Sequence, residues 1–198
     1  QFIPFMGFGY ALWRFVTQVI GEASGSMLAN RPFIMDGRTR LTDYVLRCIS
    51  KSALYFMFAF VVLIGLVAML PDYEASNLWT LPITLPVFLV NLFCLGMVLA
   101  LLGARFPDMH EFTTTIFIFG FLLTPILWYP ESLPPGGARW YLMQSNPAFH
   151  LIELVRGPAL GRGLQQATVI YVGLMTCFAM GFAAWLYRRF GRFVPIWT

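Results

Sequence analysis

Four polar side chains recur every fourth residue in an otherwise apolar run: Arg14, Gln18, Glu22 and Ser26. A spacing of four keeps them near one helix face. Arg14 and Glu22 are two turns apart, about 12 Å by helix rise, too far to pair directly. A charge at the centre of a membrane helix costs ~2.5–3.5 kcal/mol and usually faces a bundle interior or a water-filled path. The stripe therefore reads either as the wall of a hydrated conduit or as a helix–helix contact, helped by Gly21 and Gly25 close by.

A second cluster is GARFPDMHEF, Gly103–Phe112, where Arg105, Pro107, Asp108, His110 and Glu111 interrupt two greasy stretches. Pro107 can open a helical turn, and Asp108 and Glu111 suit its positive end. One short helix over Pro107–Glu111 is expected at the membrane face, with Met109 and Phe112 as its apolar contact. A third pair, His150 and Glu153, is spaced i, i+3. Two residues are too few for a metal site, and their expected place is the wet face of an interfacial helix.

No self-contained enzyme emerges. The only lysine is Lys51, with no glycine-rich run before it, so the chain has no P-loop. No zinc, paired-cysteine or nucleophile-elbow pattern is present. Cys48, Cys94 and Cys177 are scattered in or near apolar runs and read as small hydrophobes.

The elements that must position these residues are membrane helices. The 198 residues are 59% hydrophobic and only 11% charged, with mean hydropathy +0.72. A soluble domain carries about 25% charged residues. Five spans are expected, at about 9–29, 52–70, 78–103, 112–129 and 167–187. Pro82 and Pro86 predict a kinked start to the third. Residues 131–163 hold three breaker clusters, with short helices expected at about 138–145 and 148–155, a hairpin that leaves and returns on one side.

Charge placement orients the whole. Nine of the thirteen Lys and Arg fall in residues 30–51, 104–111 and 188–198, and three on the opposite side, where Asp72 and Glu74 sit in a loop without a base. The first side is therefore expected to be cytoplasmic, with the C-terminus there. Residues 30–47, with Asp36, Arg38, Arg40, Asp43 and Arg47 among Phe33, Ile34 and Met35, read as a surface that docks on a protein or on lipid headgroups. On the other side Trp13, Trp128, Tyr129, Trp140 and Tyr141 form an interfacial belt, or in part a lining on which sugar rings stack. The chain begins without Met and without a signal-peptide pattern; one helix upstream is expected to be absent.

These pieces together resemble a family. ALWRFVTQVIGEASGSMLANRPFI, ARFPDMHEF, FGFLLTPILWYPESLP and NPAFHLIELVRGPALG, in that order, are similar to the membrane subunit of type-2 ABC exporters of O-antigen, capsule or other lipid-linked polysaccharides. Arg105-Phe106-Pro107-Asp108 matches the family's acidic segment after the fourth helix, and Pro125-Ile126 its pair late in the fifth. Asn146-Pro147, Glu153 and Arg156 match the segment after that.

The resemblance implies an all-α integral membrane fold with six helices, of which the first is missing here. It implies a homodimer in the bacterial inner membrane that binds two separate cytoplasmic ATPase chains. ATP and Mg would be bound by those chains and none by this one, and no nucleic acid is involved. It assigns residues 30–47 and 105–111 to ATPase coupling, through Asp36, Arg38, Arg40, Arg105, Pro107, Asp108, Met109, His110 and Glu111. Residues 131–163 become a periplasmic gate with Trp140, Tyr141, Asn146, Pro147, His150, Glu153 and Arg156. Channel-lining candidates are Trp13, Arg14, Gln18, Glu22, Ser26, Trp128 and Tyr129. The rival readings are a type-2 permease for a drug, a lipid or teichoic acid, a secondary transporter that needs no ATPase, and a membrane scaffold.

Overall fold

Helices account for almost every regular element in the computed structural model, which describes residues 2–37, 39–69, 75–132, 134 and 136–197. In chain order they are α1 (Phe2–Ala29), α2 (Arg31–Met35), α3 (Leu41–Ala68), α4 (Leu81–Arg105), α5 (Met109–Leu123), α6 (Ala138–Gln144), α7 (Pro147–Ala159), α8 (Gln166–Phe190) and α9 (Val194–Trp197). No strand occurs among the described residues. Arg38 and the loop bearing Asp72 and Glu74 lie outside them.

Three helical stretches are long and apolar enough to cross a membrane: Leu41–Ala68, Asn77–Arg105 and Gln166–Trp197, with mean hydropathies of 2.1, 2.5 and 1.9. The first and last bury only 17% of their most apolar window, against 44% for the middle one. Their outward faces are covered with exposed Leu, Val, Phe and Met, such as Leu54, Phe58, Val61, Leu174 and Phe178. Lipid is the solvent such faces fit.

The other two expected spans differ. Helix α1 is 28 residues long, but its polar stripe holds it below the apolarity of the three. Helix α5 has only 15 residues. It ends at Leu123, so Pro125-Ile126 falls in a bend after the helix rather than late within it. The cause is steric: Pro disfavours the helical region for the residue before it, and Thr124 is extended at ψ 136°.

Helix α1 is the hub. One face packs on α4 and α3 and another on α5. Phe8, Leu12, Val19, Ile20, Ala23 and Met27 are wholly buried along it. Gly103 lets α4 approach so closely that a Cβ there would lie 1.8 Å from the Ser24 carbonyl oxygen. Between α4 and α8 the only described side-chain hydrogen bond is Asn91 Nδ2 donating to Thr176 Oγ1 at 2.7 Å, polar glue in an apolar seam. At the prolines, a 3-10 turn (Ala75–Thr80) leads into α4 with Pro82 in its first turn, and Pro86 sits inside the helix.

Two segments differ in detail from the sequence pattern. Residues 30–47 divide between two helices. Helix α2 takes Arg31–Met35, a turn follows with Gly37 at φ +69°, and α3 already begins at Leu41. The second long helix therefore starts eleven residues before the expected Ser52, because Leu41–Lys51 has no breaker. Likewise Pro107–Glu111 is not a separate helix. Helix α4 unwinds at Phe106, Pro107-Asp108 make a turn, and Met109–Glu111 are the first turn of α5. The Met109 amide bonds the Phe106 carbonyl at 3.0 Å. Helices α6 and α7 occur near the two positions expected for short helices, with α7 extended to Ala159.

Candidate translocation groove

The polar stripe of α1 opens to the outside of the single chain. Arg14 is exposed, Gln18 and Glu22 are half-buried and Ser26 is buried. Within the single chain the stripe thus runs from an exposed end at Arg14 to a buried one at Ser26. A Cβ built at Gly21 or Gly25 meets nothing within 4 Å, so neither glycine is needed to make room for a neighbouring helix within this chain. The stripe instead borders two grooves, one between α1 and α3 beside His110 and one between α1 and α5.

One groove, of about 500 Å³, is lined by Glu22, Ser26, Asn30, Arg47, Lys51 and His110, among others. A second, of about 530 Å³, is lined by Tyr10, Trp13, Arg14, Gln18, Thr113 and Phe117 among others, and shares Gly21 with the first. A third, of about 660 Å³, holds Trp128, Ser132, Arg139 and Asn146 and shares Leu122 with the second. Together they run from the end where α1 meets α2 to the end where α6 and α7 lie.

Local packing builds this flank. Trp13 is 6% exposed and lies against Phe117 and Phe121 of α5, with ring centroids 5.6 and 6.1 Å away. Gly120 makes room for it, since a Cβ there would meet the indole at 3.0 Å. Lys51 Nζ pairs with Glu22 Oε1 at 2.9 Å, and Gln18 Nε2 donates to the same oxygen at 3.4 Å. Sequence spacing separated Glu22 from Arg14 but gave no hint of Lys51, which arrives from α3. Of the seven lining candidates, six border the grooves. Tyr129 does not: it packs on Phe2 and Phe5 at 5.6 and 4.6 Å.

At the α2 end, the turn between α4 and α5 leaves Arg105, Pro107, Asp108 and Glu111 exposed and Met109 half-buried. His110 turns back on the chain. Its Nδ1 lies 3.0 Å from the Gly21 carbonyl oxygen, to which it donates, and 3.2 Å from Ser24 Oγ. Arg105 lies over the Trp197 ring at 5.2 Å, which joins this turn to the C-terminal helix α9. Asp36 and Arg40 are exposed across the α2–α3 turn, where the Arg40 amide donates to Asp43 Oδ2 at 3.2 Å.

At the other end a buried polar cluster joins α7 to α1 and to the bend after α5. Arg156 is 0% exposed. It donates through Nε and Nη2 to Glu153 Oε2 at 3.0 and 2.7 Å and through Nη1 to the Pro125 carbonyl at 2.9 Å. Its guanidinium lies 3.8 Å from the Phe5 ring centroid. Asn146 caps α7, accepting from the Ala148 amide at 2.9 Å, and its Nδ2 donates to Thr124 Oγ1 at 3.0 Å. So α7 grips the Thr124-Pro125 bend near its start and near its end. Trp140 and Tyr141 stack edge-on with each other, Tyr141 being exposed.

His150 is not on a wet face. It is 2% exposed, and stacks on Tyr171 at 4.2 Å. Nε2 donates to the Gln144 carbonyl at 2.8 Å, and Nδ1 accepts from Thr168 Oγ1 at 3.1 Å. Tyr171 donates to the Ser145 carbonyl at 2.9 Å. The last carbonyls of α6 are thereby held by α7 and α8. Burial pushes the His150 pKa below its ordinary value, against the opposing influence of the Gln144 bond and of Glu153. A histidine whose folded pKa is lowered adds stability above the unfolded value of about 6.5, and that contribution is lost as pH falls through the folded value. Unfolding temperature is therefore expected to decline on acidification below about pH 6.5, and His150→Gln to flatten that decline. Thermal unfolding across a pH series of both proteins checks this.

Among the described residues no three of His, Cys, Asp and Glu come together as a metal centre would need. The geometry is that of a multi-pass membrane protein: long apolar helices with outer faces suited to lipid, and a flank where ionisable groups border grooves. The chain belongs to the ABC-2 type transporter family, which matches residues 6–160. It is thus the membrane permease component of an ABC exporter, not itself the catalytic part, and such permeases pair with an ABC ATPase. No curated protein matches the chain.

Proposed function

We propose that this permease exports a lipid-linked polysaccharide, O-antigen, capsule or a similar polymer, across the bacterial inner membrane, as a homodimer carrying two ATPase chains on its cytoplasmic side. The observation that supports this reading is the row of three neighbouring grooves, between α1 and α3, between α1 and α5, and between α5 and the α6–α7 segment, with Arg14, Gln18 and Glu22 in the first two and Trp13 and Trp128 on the walls. A second copy facing this flank would close the groove into a conduit. Sugar rings present C–H faces to aromatic planes and hydroxyls to polar side chains, and such contacts release a moving chain readily. The five helices α1, α3, α4, α5 and α8 would each cross the membrane in the dimer, with α6 and α7 as the outer gate.

In this mechanism the lipid-anchored phosphates enter at the arginine-rich cytoplasmic end. Closure of the ATPase pair presses on the α2–α3 and α4–α5 turns. Because His110 holds α5 against α1 at Gly21 and Ser24, that push reaches the groove wall directly. A photoreactive lipid-linked glycan should crosslink to single cysteines at Gln18 and Trp128 during ATP turnover in proteoliposomes. ATP turnover with export but no crosslink at either would sink the reading.

Replacing both Asp108 and Glu111 with Ala is expected to cut ATP-driven export at least about tenfold while leaving membrane insertion unchanged, the loss of two exposed charged contacts to a partner. Export measured against protein level in membranes checks it. Normal export would remove the coupling role.

A further inference from the structure

The side of α8 turned away from the bundle has an order that spanning alone does not require. Thr168, Val172, Ala183 and Leu186 form its buried face. On the opposite side Cys177, Gly181, Ala184 and Arg188 follow one another at i, i+4, i+7 and i+11, so they share one stripe. All four are exposed, and a Cβ at Gly181 meets nothing within 4 Å. Beside this small-residue floor stands an aromatic wall. Phe178 and Phe182 stack at 5.8 Å with planes 6° apart, and Phe182 and Trp185 at 6.0 Å. A groove of about 520 Å³ lies among Gly181, Ala184, Trp185, Arg188 and Arg189.

The floor runs into Arg188 and the wall into Arg189, with Arg192 just beyond. Among the described residues none of the three has an ion-pair partner. Arg188 lies 22 residues after the start of α8 at Gln166, about 33 Å by helix rise, close to the ~30 Å of a bilayer's hydrocarbon core. The guanidinium groups therefore sit at headgroup depth, while floor and wall run about 16 Å back into the acyl region.

We infer that this face of α8 is a binding site for an anionic phospholipid. Arg188 and Arg189 take the phosphate, which guanidinium groups bind in a bidentate fork. One acyl chain lies on the Cys177–Gly181–Ala184 floor against the Phe178–Phe182–Trp185 wall. Unpaired arginines select a net negative headgroup over a zwitterionic one, and the chain groove makes the site more than a diffuse attraction to the surface.

The test uses the permease purified with its ATPase and incubated with an equal mixture of phosphatidylglycerol and phosphatidylcholine. Native mass spectrometry then counts the lipids retained. The intact protein should keep phosphatidylglycerol preferentially. R188Q/R189Q should lower that retention on the order of tenfold. A184F, which fills the floor and leaves every charge in place, should lower it several-fold and leave the folded yield unchanged. If A184F binds as the intact protein does while R188Q/R189Q does not, only surface charge acts and the site is wrong. If R188Q/R189Q keeps its lipid, or loses the ATPase chain instead, the arginines serve another partner and the proposal fails.

Discussion

Replacing Arg156 with Ala is expected to lower the unfolding temperature by on the order of 10 °C, with a loss of about 3–5 kcal/mol, the range for breaking a buried ion pair by removing one partner. The size follows from what would be stranded. Glu153, its side chain 13% exposed, would lose the cation it pairs with. The Pro125 carbonyl would lose the donor that Nη1 supplies, and it has no helix to return to, because α5 has ended at Leu123. The Phe5 ring would lose the cation above it, and the vacated volume lies next to Gly9, where a Cβ would already meet Nη1 at 3.0 Å.

Variants separate these contributions. Arg156→Lys keeps the charge but cannot reach Glu153 and Pro125 with one planar fork, so it should recover part of the loss. Glu153→Gln should cost less than Arg156→Ala, since the guanidinium retains Pro125, Phe5 and a neutral acceptor. The double variant E153A/R156A should cost less than the two single losses added, because no unpaired charge remains. Thermal unfolding of the purified variants in one detergent checks the order. Additive losses would mean the two side chains act separately. The same cluster ties α7 to α1, so Arg156→Lys should also reduce export at temperatures where it stays folded.

What the sequence showed and what it hid divide along chain distance. Breakers and caps act locally: Pro147 after Asn146 opened α7 where expected, and the Pro134–Gly137 run preceded α6. Hydropathy marked the long helices because lipid-facing surfaces need no partner to declare themselves. The stripe from Arg14 to Ser26 was legible as a face through its period of four. Which way that face pointed was not, since it depends on α3 and α5.

Glu22 finds Lys51 29 residues on, and Arg156 finds Pro125 31 residues back. No local pattern encodes such pairings. His150 shows the same limit. Its i, i+3 relation to Glu153 suggested a wet face, yet Thr168 and Tyr171 of α8 bury it. A signal was present in hindsight in the apolar residues around it, Phe149, Leu151 and Ile152, which leave little room for a wet face. Pro107 promised a helix start and marks one two residues late, because the turn after Phe106 uses it first.

The second large effect is expected at Gly103, a residue that composition alone would pass over. Gly103→Ala should sharply reduce the yield of folded permease and lower the unfolding temperature of what remains by about 5 °C or more. An added Cβ would sit 1.8 Å from the Ser24 oxygen and 2.9 Å from its carbonyl carbon, both backbone atoms that cannot swing aside. Helices α1 and α4 must therefore part by more than an ångström along their most buried seam, which loosens the packing of Ala23, Met27 and Ala100. Gly25→Ala is the internal control: nothing lies within 4 Å of its Cβ, and replacing a mid-helix glycine removes a cost of about 0.5–1 kcal/mol. The same chemical change in two helices that pack on each other, with opposite signs, would show that close approach, not glycine as such, is what Gly103 provides. A functional consequence follows from its position. Gly103 lies two residues before Arg105 and faces Ser24, whose hydroxyl stands 3.2 Å from His110. Displacing α1 there moves the His110 contacts that join the α4–α5 turn to the groove wall. Folded Gly103→Ala protein should thus hydrolyse ATP through its partner chain yet export poorly, a separation that paired ATPase and transport assays on reconstituted protein would reveal. Equal losses of both activities would reduce Gly103 to a packing role alone.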